Sequence, residues 1–269
     1  MSPTERADRH SRQLRLPWLG ERGQARLAGS KVLIVGCGGL GATVIAELAA
    51  AGIGQLHLVD DDCVERSNLN RQVLHRTCDI GRHKAERAAE WVQALDPTLR
   101  VEADFTRLGP HNTREYVRSF DLVMDCTDGL PTKFLLNDAC VLENTPLVHG
   151  AASGLEGQVL WMPGAAGPCL RCLFAGIPPA GSLPNCQVAG VLGATCAMVG
   201  SMMSLEAIFF LAGRDRSAGR FILVDAQTIA TREMRFAARA DCDACSECPA
   251  LDARSPEDYV AATERSAGA

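Results

Sequence analysis

The sequence has no excess of positive charge. Its 27 lysines and arginines face 32 aspartates and glutamates, a net charge of −5. Phosphate backbones are held by clustered cations, so a nucleic-acid partner is disfavoured. An apolar leader is also lacking: residues 1–20 carry Glu5, Arg6, Asp8 and Arg9. No secretory signal is expected, and the expected setting is cytoplasmic. Neither an internal repeat nor a linker divides the chain. An uncharged stretch of 18 residues, Val188 to Leu205, meets the lower limit for a membrane span. Gly, Ala, Ser and Thr fill it, however, and Glu206 ends it. The expectation is no membrane, but a helix buried on most sides, at a subunit interface.

Cysteine is plentiful, at 12 of 269 residues. Without a secretion signal, metal binding or thiol chemistry is favoured over disulfides. Cys37, Cys63, Cys78, Cys126, Cys140 and Cys196 stand singly, mostly in apolar settings, and read as small buried hydrophobes. Five of the remaining six cluster. Cys169-Leu170-Arg171-Cys172 and Cys242-Asp243-Ala244-Cys245 are two C-x-x-C pairs with 69 residues between them. Four thiolates so paired suit tetrahedral zinc. Cys248, which makes a C-x-x-C with Cys245, is a fifth candidate that spacing does not exclude. Cys186 lies in a Pro-, Gly- and Ser-rich stretch, Gly176 to Val188, and reads as an accessible thiol or an incidental loop residue.

The chain is organised around residues 31–41, KVLIVGCGGLG. A short apolar run ends in Gly36, Gly38 and Gly41, with Gly39 between them, and a helix follows over Ala42 to Ala51. Strand, glycine turn and helix in that order cradle phosphate: the backbone comes close, and the helix N-terminus offers unpaired N–H groups. A second strand, Gln55 to Val59, ends in Asp60-Asp61-Asp62. Asp60 lies 19 residues beyond Gly41, where an acid can accept hydrogen bonds from a ribose diol. A polar loop with Asn68, Asn70, Arg71 and Gln72 follows. Lys84 then opens a helix whose apolar face is Ala85, Ala88, Ala89, Val92 and Leu95. A cation there opposes the helix dipole, and a nearby phosphate would account for it.

Further strands read at Leu99 to Phe105, Leu122 to Asp125, Pro146 to His149 and Gln158 to Trp161, with helices at Pro110 to Phe120 and about Pro131 to Leu142. Two late strands read at Arg220 to Ala226 and Thr228 to Phe236. The expected fold is α/β, a doubly wound, Rossmann-like and mostly parallel sheet with a C-terminal antiparallel extension. Asp128, after the fourth strand, is a candidate for a magnesium ion escorting ATP, or else the N-cap of the next helix. The glycines and Asp60 alone would equally serve an NAD-dependent oxidoreductase. That reading leaves Arg71, Lys84, Asp128 and the cysteine pairs without a role.

HSRQ (10–13), GCGGLG (36–41), DDDCVERSNLNRQ (60–72), IGRHK (80–84), DCTD (125–128), CLRC (169–172) and DCDAC (241–245) occur in order over almost the whole chain. The set resembles the E1-like adenylyltransferases (the ThiF, MoeB and HesA type) that activate small ubiquitin-like sulfur carriers for thiamine or molybdopterin synthesis. The resemblance implies a reaction: Mg-ATP and the Gly-Gly tail of a carrier give an acyl-adenylate and pyrophosphate, ahead of a thiocarboxylate. It implies that Gly36, Gly38, Gly39 and Gly41 line the nucleotide, with Asp60, Asp62 and Gln72 beside it. Asn68, Arg71 and Lys84 would hold the phosphates, and Asp128 the Mg2+. Arg12 would reach into the partner's site of a homodimer. Zn2+ would take Cys169, Cys172, Cys242 and Cys245, leaving Cys248 spare. Cys186 matches the loop cysteine that serves sulfur transfer in the thiamine branch. The expected sulfur donor is a separate cysteine desulfurase or rhodanese-like protein. Gly129 stands where the family usually has Asn, which puts one ligand contact in doubt. A relative adenylating a different acceptor is the nearest alternative. One domain is expected over residues 1–248, with a nucleotide half at about 28–150, a zinc and carrier half at about 151–248, and a polar tail at 249–269.

Overall fold

The computed structural model describes residues 8–174, 176–177, 190–246 and 259. Cys186, Cys248 and most of the tail lie outside these residues. Eight strands form one sheet: β1 (Lys31–Val35), β2 (Gln55–Val59), β3 (Arg100–Asp104), β4 (Leu122–Asp125), β5 (Leu147–Ser153), β6 (Glu156–Met162), β7 (Arg220–Asp225) and β8 (Ala230–Arg235). Their order is β3-β2-β1-β4-β5-β6-β7-β8. The first five are parallel, and β6, β7 and β8 extend the sheet antiparallel. Residue 150, the expected boundary between halves, falls within β5.

The helices are α1 (Gly20–Gly29), α2 (Gly39–Ala51), α3 (Lys84–Leu95), α4 (Thr113–Val117), α5 (Leu130–Leu142), α6 (Leu170–Leu173) and α7 (Gly193–Leu211). Apolar residues of β1 alternate between two cores, which is why the strand reads as a continuous hydrophobic run. Val32 and Ile34 pack with Ile45 and Leu48 of α2, Val92 of α3 and Val199 and Met203 of α7. Leu33 and Val35 pack on the other face with Val117 of α4 and Phe134 and Leu136 of α5. The sheet is therefore wound on both sides. After β3 the chain returns to the far side of β1, so the crevice above the C-terminal ends of β1 and β4 is a topological switch point.

The uncharged stretch forms α7, which starts five residues later than the run and ends at Leu211. It is the one helix among the described residues long and apolar enough to cross a membrane. Its packing marks it as a core helix of this sheet. A Cβ on Gly200 would stand 2.7 Å from Thr43 of α2, so the two helices touch at their backbones. Glu206 is 3% exposed and is paired with Arg216 and Arg220. Burial is incomplete: Ala194, Ala197 and Leu205 stay exposed, Leu205 at 49%. Two of the lone cysteines depart from expectation. Cys63 and Cys78 are exposed; both lie in the segment between β2 and α3, Cys78 within a short 3-10 helix, Thr77–Asp79.

Candidate functional site

Helix α2 begins at Gly39, three residues earlier than the expected start, so two motif glycines lie in its first turn. A side chain on Gly41 would overlap the Gly36 carbonyl oxygen, and Gly36 itself has φ +93°. Both positions require glycine. The N-cap is Gly38, which makes no side-chain cap bond. The first-turn N–H groups of α2 therefore have no acceptor among the described residues, and they lie at the positive end of the helix dipole.

Asp60 does more than the sequence suggested. Its Oδ2 accepts from the Cys37 N–H at 2.6 Å and its Oδ1 from the Asp62 N–H at 2.9 Å. It thus ties the end of β2 to the glycine turn and still has lone pairs for a ribose. Burial raises its pKa, a push that the nearby Lys84 ammonium opposes. Lys84, the first residue of α3, is 7% exposed and donates to Asp62 Oδ2 at 2.7 Å. The cation that seemed to need a phosphate has a carboxylate partner already. Asp62 sits at the exposed end of that pair.

The polar loop closes over the glycines. Arg71 donates to the Ser67 carbonyl at 2.9 Å, and its Cδ would lie 3.6 Å from a Cβ on Gly39. Gln72 is 3% exposed, its Nε2 beside Gly38, and its buried Oε1 has no partner among the described residues. Asn68 is buried, and its Oδ1 accepts from the Glu65 N–H at 3.0 Å, so it holds the shape of the loop. His75, which the sequence reading passed over, lies 3.3 Å through Nε2 from the Cys37 carbonyl and buttresses the turn. Burial lowers its pKa, which favours the neutral ring.

Asp128 is exposed beyond β4, and no hydrogen bond or ion pair among the described residues occupies its carboxylate. The N-cap of α5 is Gly129, without a side-chain bond, so the capping role open to Asp128 is not realised. Below it lies a cluster that sequence reasoning missed. Asp125 is fully buried, between Lys133 Nζ at 3.3 Å and His149 Nδ1 at 2.7 Å. Burial would raise its pKa, but Lys133 and the His149 bond outweigh it and hold Asp125 well below the usual carboxylate range.

The structure thus brings Gly36, Gly38, Gly39, Gly41, Asp60, Asp62, Arg71, Gln72 and Lys84 to one edge, with Asp128 on the adjoining loop. Arg12 is not among them. It is exposed, next to Gln13, which donates to the Ala51 carbonyl at the far end of α2. The 13 residues of α2 put about 20 Å between that end and the glycine turn.

The four cysteines form a separate small core with Val141 and Ala244. Cys169 and Cys242 sulfurs are 3.7 Å apart, Cys172 and Cys245 sulfurs 3.3 Å, and all four lie within 4.8 Å of one another. A tetrahedral zinc with Zn–S of about 2.3 Å needs S···S of roughly 3.8 Å, so the set fits. Burial first, and then the neighbouring sulfurs, push the Cys169 thiol up. Arg171, inside the first C-x-x-C, forms a buried bidentate pair with Asp138 of α5 at 2.7 and 2.6 Å and stacks over Phe134. The cluster is thereby fixed to the sheet.

The ThiF family model matches residues 10–248. A sulfur carrier protein adenylyltransferase of Thermus thermophilus is 44% identical over 91% of this chain and 93% of its own length. The SAMP-activating enzyme E1 of Haloferax volcanii is 42% identical over 94% and 93%. An adenylyltransferase and sulfurtransferase, MOCS3, of Drosophila sechellia is 44% identical over 90% of this chain, which spans only 54% of that relative. Among solved structures, E. coli MccB with ATP superposes with a TM-score of 0.78 at 21% identity, over 89% of this chain and 74% of that one. At that identity the likeness speaks for the fold.

Proposed function

This chain belongs to the ThiF family, and from that membership we propose that it adenylylates the C-terminal Gly-Gly carboxylate of a small ubiquitin-like sulfur carrier protein. ATP and the carrier are its substrates, and acyl-adenylate and pyrophosphate its products. The observation that carries this reading is the crevice at the switch point. Glycine-turn N–H groups, Asp60, the Lys84–Asp62 pair and Arg71 converge there beside an exposed carboxylate, Asp128, that has no partner among the described residues.

Asp60 would accept from the ribose, and the first turn of α2 and Arg71 would hold phosphate oxygens. Lys84, released in part from Asp62, would face the charge that builds on the α-phosphate as the carrier carboxylate attacks it. Such a site works by positioning and electrostatic stabilisation. Asp128 would hold Mg2+, whose chemistry is to neutralise phosphate charge. Asn68 and Gln72 keep the loop over the nucleotide. Zn2+ would be held by Cys169, Cys172, Cys242 and Cys245, as a structural ion with all four positions filled by protein. Arg12, at the wrong edge for its own crevice, supports a homodimer in which it serves the partner's site. Cys186 and a separate sulfur donor, a cysteine desulfurase or rhodanese-like protein, belong to the later thiocarboxylate step. The cytoplasm is the compartment that suits a cluster of reduced thiols.

The deciding experiment is ATP–pyrophosphate exchange with each candidate Gly-Gly carrier of the host. Exchange that requires one carrier, and is lost when its last glycine is removed, is the expected result. No exchange with any of them would overturn the assignment.

A further inference from the structure

We propose that the buried cluster of Lys133, Asp125 and His149 is the positioning device for Asp128, fixing the loop that presents its carboxylate to the metal–nucleotide. The inference rests on the reading of Asp128 as the acid that serves the metal escorting ATP.

Asp125 ends β4 in register with Val35 of β1 on one side and His149 of β5 on the other. Its carboxylate is 0% exposed and fully used. Oδ1 accepts from the Thr127 N–H at 3.1 Å and the Thr127 hydroxyl at 2.7 Å. His149 Nδ1 donates to Oδ2 at 2.7 Å, because an ionised carboxylate can only accept. Lys133 Nζ lies 3.3 Å from both oxygens and also donates to the Gly150 carbonyl at 2.7 Å. One ammonium thus ties the first turn of α5 to the end of β4 and the middle of β5.

The loop between β4 and α5 is held at its start by the Cys126 N–H, which donates to the Val35 carbonyl at 2.9 Å. Gly129, its last residue, gives α5 no side-chain cap. Thr127 is the link: its N–H and hydroxyl both turn back onto Asp125, and Asp128 follows directly, pointing to solvent. The same backbone is seated against the glycine turn. A Cβ on Gly36 would stand 2.8 Å from the Cys126 carbonyl oxygen and 3.1 Å from the Thr127 nitrogen. Displacing the Asp125 carboxylate would therefore move the acid relative to the phosphate cradle. Groups that orient a metal ligand without touching the metal commonly alter metal affinity by about 10- to 100-fold.

The test is Mn2+ binding, followed by electron paramagnetic resonance, to the full-length protein saturated with a non-hydrolysable ATP analogue. Thermal melts report folding alongside. Asp125→Asn and Lys133→Met are expected to weaken Mn2+ by about 10-fold or more, Thr127→Val by less, and Lys133→Arg to bind close to wild type. In carrier-dependent exchange the same variants need more Mg2+ for half-maximal rate, while the rate at saturating Mg2+ changes by less than about 3-fold. A merely structural role would lower the melting temperature without this split. Asp128→Ala is the control. If it binds Mn2+ as wild type does, the reading of Asp128 falls, and the inference with it. If it loses Mn2+ while folded Asp125→Asn and Thr127→Val bind normally, the positioning role alone is overturned. Should Asp125→Asn not fold, Thr127→Val decides, since it removes one hydroxyl and leaves the buried charges paired.

Discussion

The crevice above β1 and β4 and the cysteine cluster beside α5 are both assembled from polar groups, but they differ in what those groups have left to give. In the crevice, valences stay open: the first-turn N–H groups of α2, Gln72 Oε1 and the Asp128 carboxylate have no partner among the described residues. In the cluster, the sulfurs converge within 4.8 Å, and the Arg171–Asp138 pair behind them is closed on both sides. Open polar valences at an accessible edge cost stability and make sense where a ligand completes them. A closed, buried set makes sense as structure. The comparison teaches that removing a crevice residue should cost activity, and removing a cluster residue should cost the fold.

The sharpest break falls on the closed side. Arg171→Met removes the guanidinium while Asp138 stays buried, and it should destabilise the chain by roughly 3–5 kcal/mol in denaturant unfolding. A loss under about 1 kcal/mol would mean that the cluster does not depend on that pair. On the open side, Asp128→Ala should lower carrier-dependent exchange by about 10²- to 10³-fold, with the melting temperature unchanged. Mixing that protein with Arg12→Ala should restore part of the activity, because one of the two sites in a mixed dimer is then intact. No recovery would place Arg12 outside the partner's site. Zinc is next in size. About one zinc per chain is expected by metal analysis, and it should be absent from Cys172→Ala. With free zinc 100-fold above its dissociation constant, the ion contributes about 2.7 kcal/mol. Chelation should then lower the melting temperature by about 5–10 °C, without abolishing exchange before the protein unfolds.

The smallest effect tests the ground between the two regions. Burial first, and then repulsion by Lys133, hold His149 below its ordinary pKa, and the Asp125 bond only partly opposes them. The folded ring takes its proton at a lower pH than the unfolded ring, which does so below about pH 6.5. Its contribution to stability is therefore complete above that pH and is lost as pH falls below it, at up to about 1.4 kcal/mol per pH unit. Unfolding free energies measured from pH 7 to pH 5 should fall along that slope, and less steeply in His149→Asn. An unchanged slope would remove His149 from the account. His75 acts in the same direction, so some slope is expected to remain in the variant.

Much of the crevice was legible in the sequence because its parts are local. A strand run, a glycine spacing and an acid at a strand end each occupy a few consecutive residues, and the fold sets them at one sheet edge. The four-cysteine cluster was legible for the same reason: each half is a four-residue unit. Lys84 was half legible. Its place at the start of α3 was visible, but its pairing with Asp62 crosses 22 residues. Lys133 and His149 left no signal beyond being a lysine and a histidine in apolar company. They meet Asp125 only because β4 and β5 lie side by side in register.

Taken alone, the sequence determined the elements, the order of the motifs and the family they resemble, since these depend on neighbours along the chain. Only the tertiary structure decided which charges are spent and which are free. The sheet order brings Asp125 to His149 across 24 residues and Arg171 to Asp138 across 33, and it leaves Asp128 facing solvent. The physical reason is burial. A carboxylate taken out of water must find donors wherever the fold supplies them, whereas one left at the edge keeps its charge for a ligand.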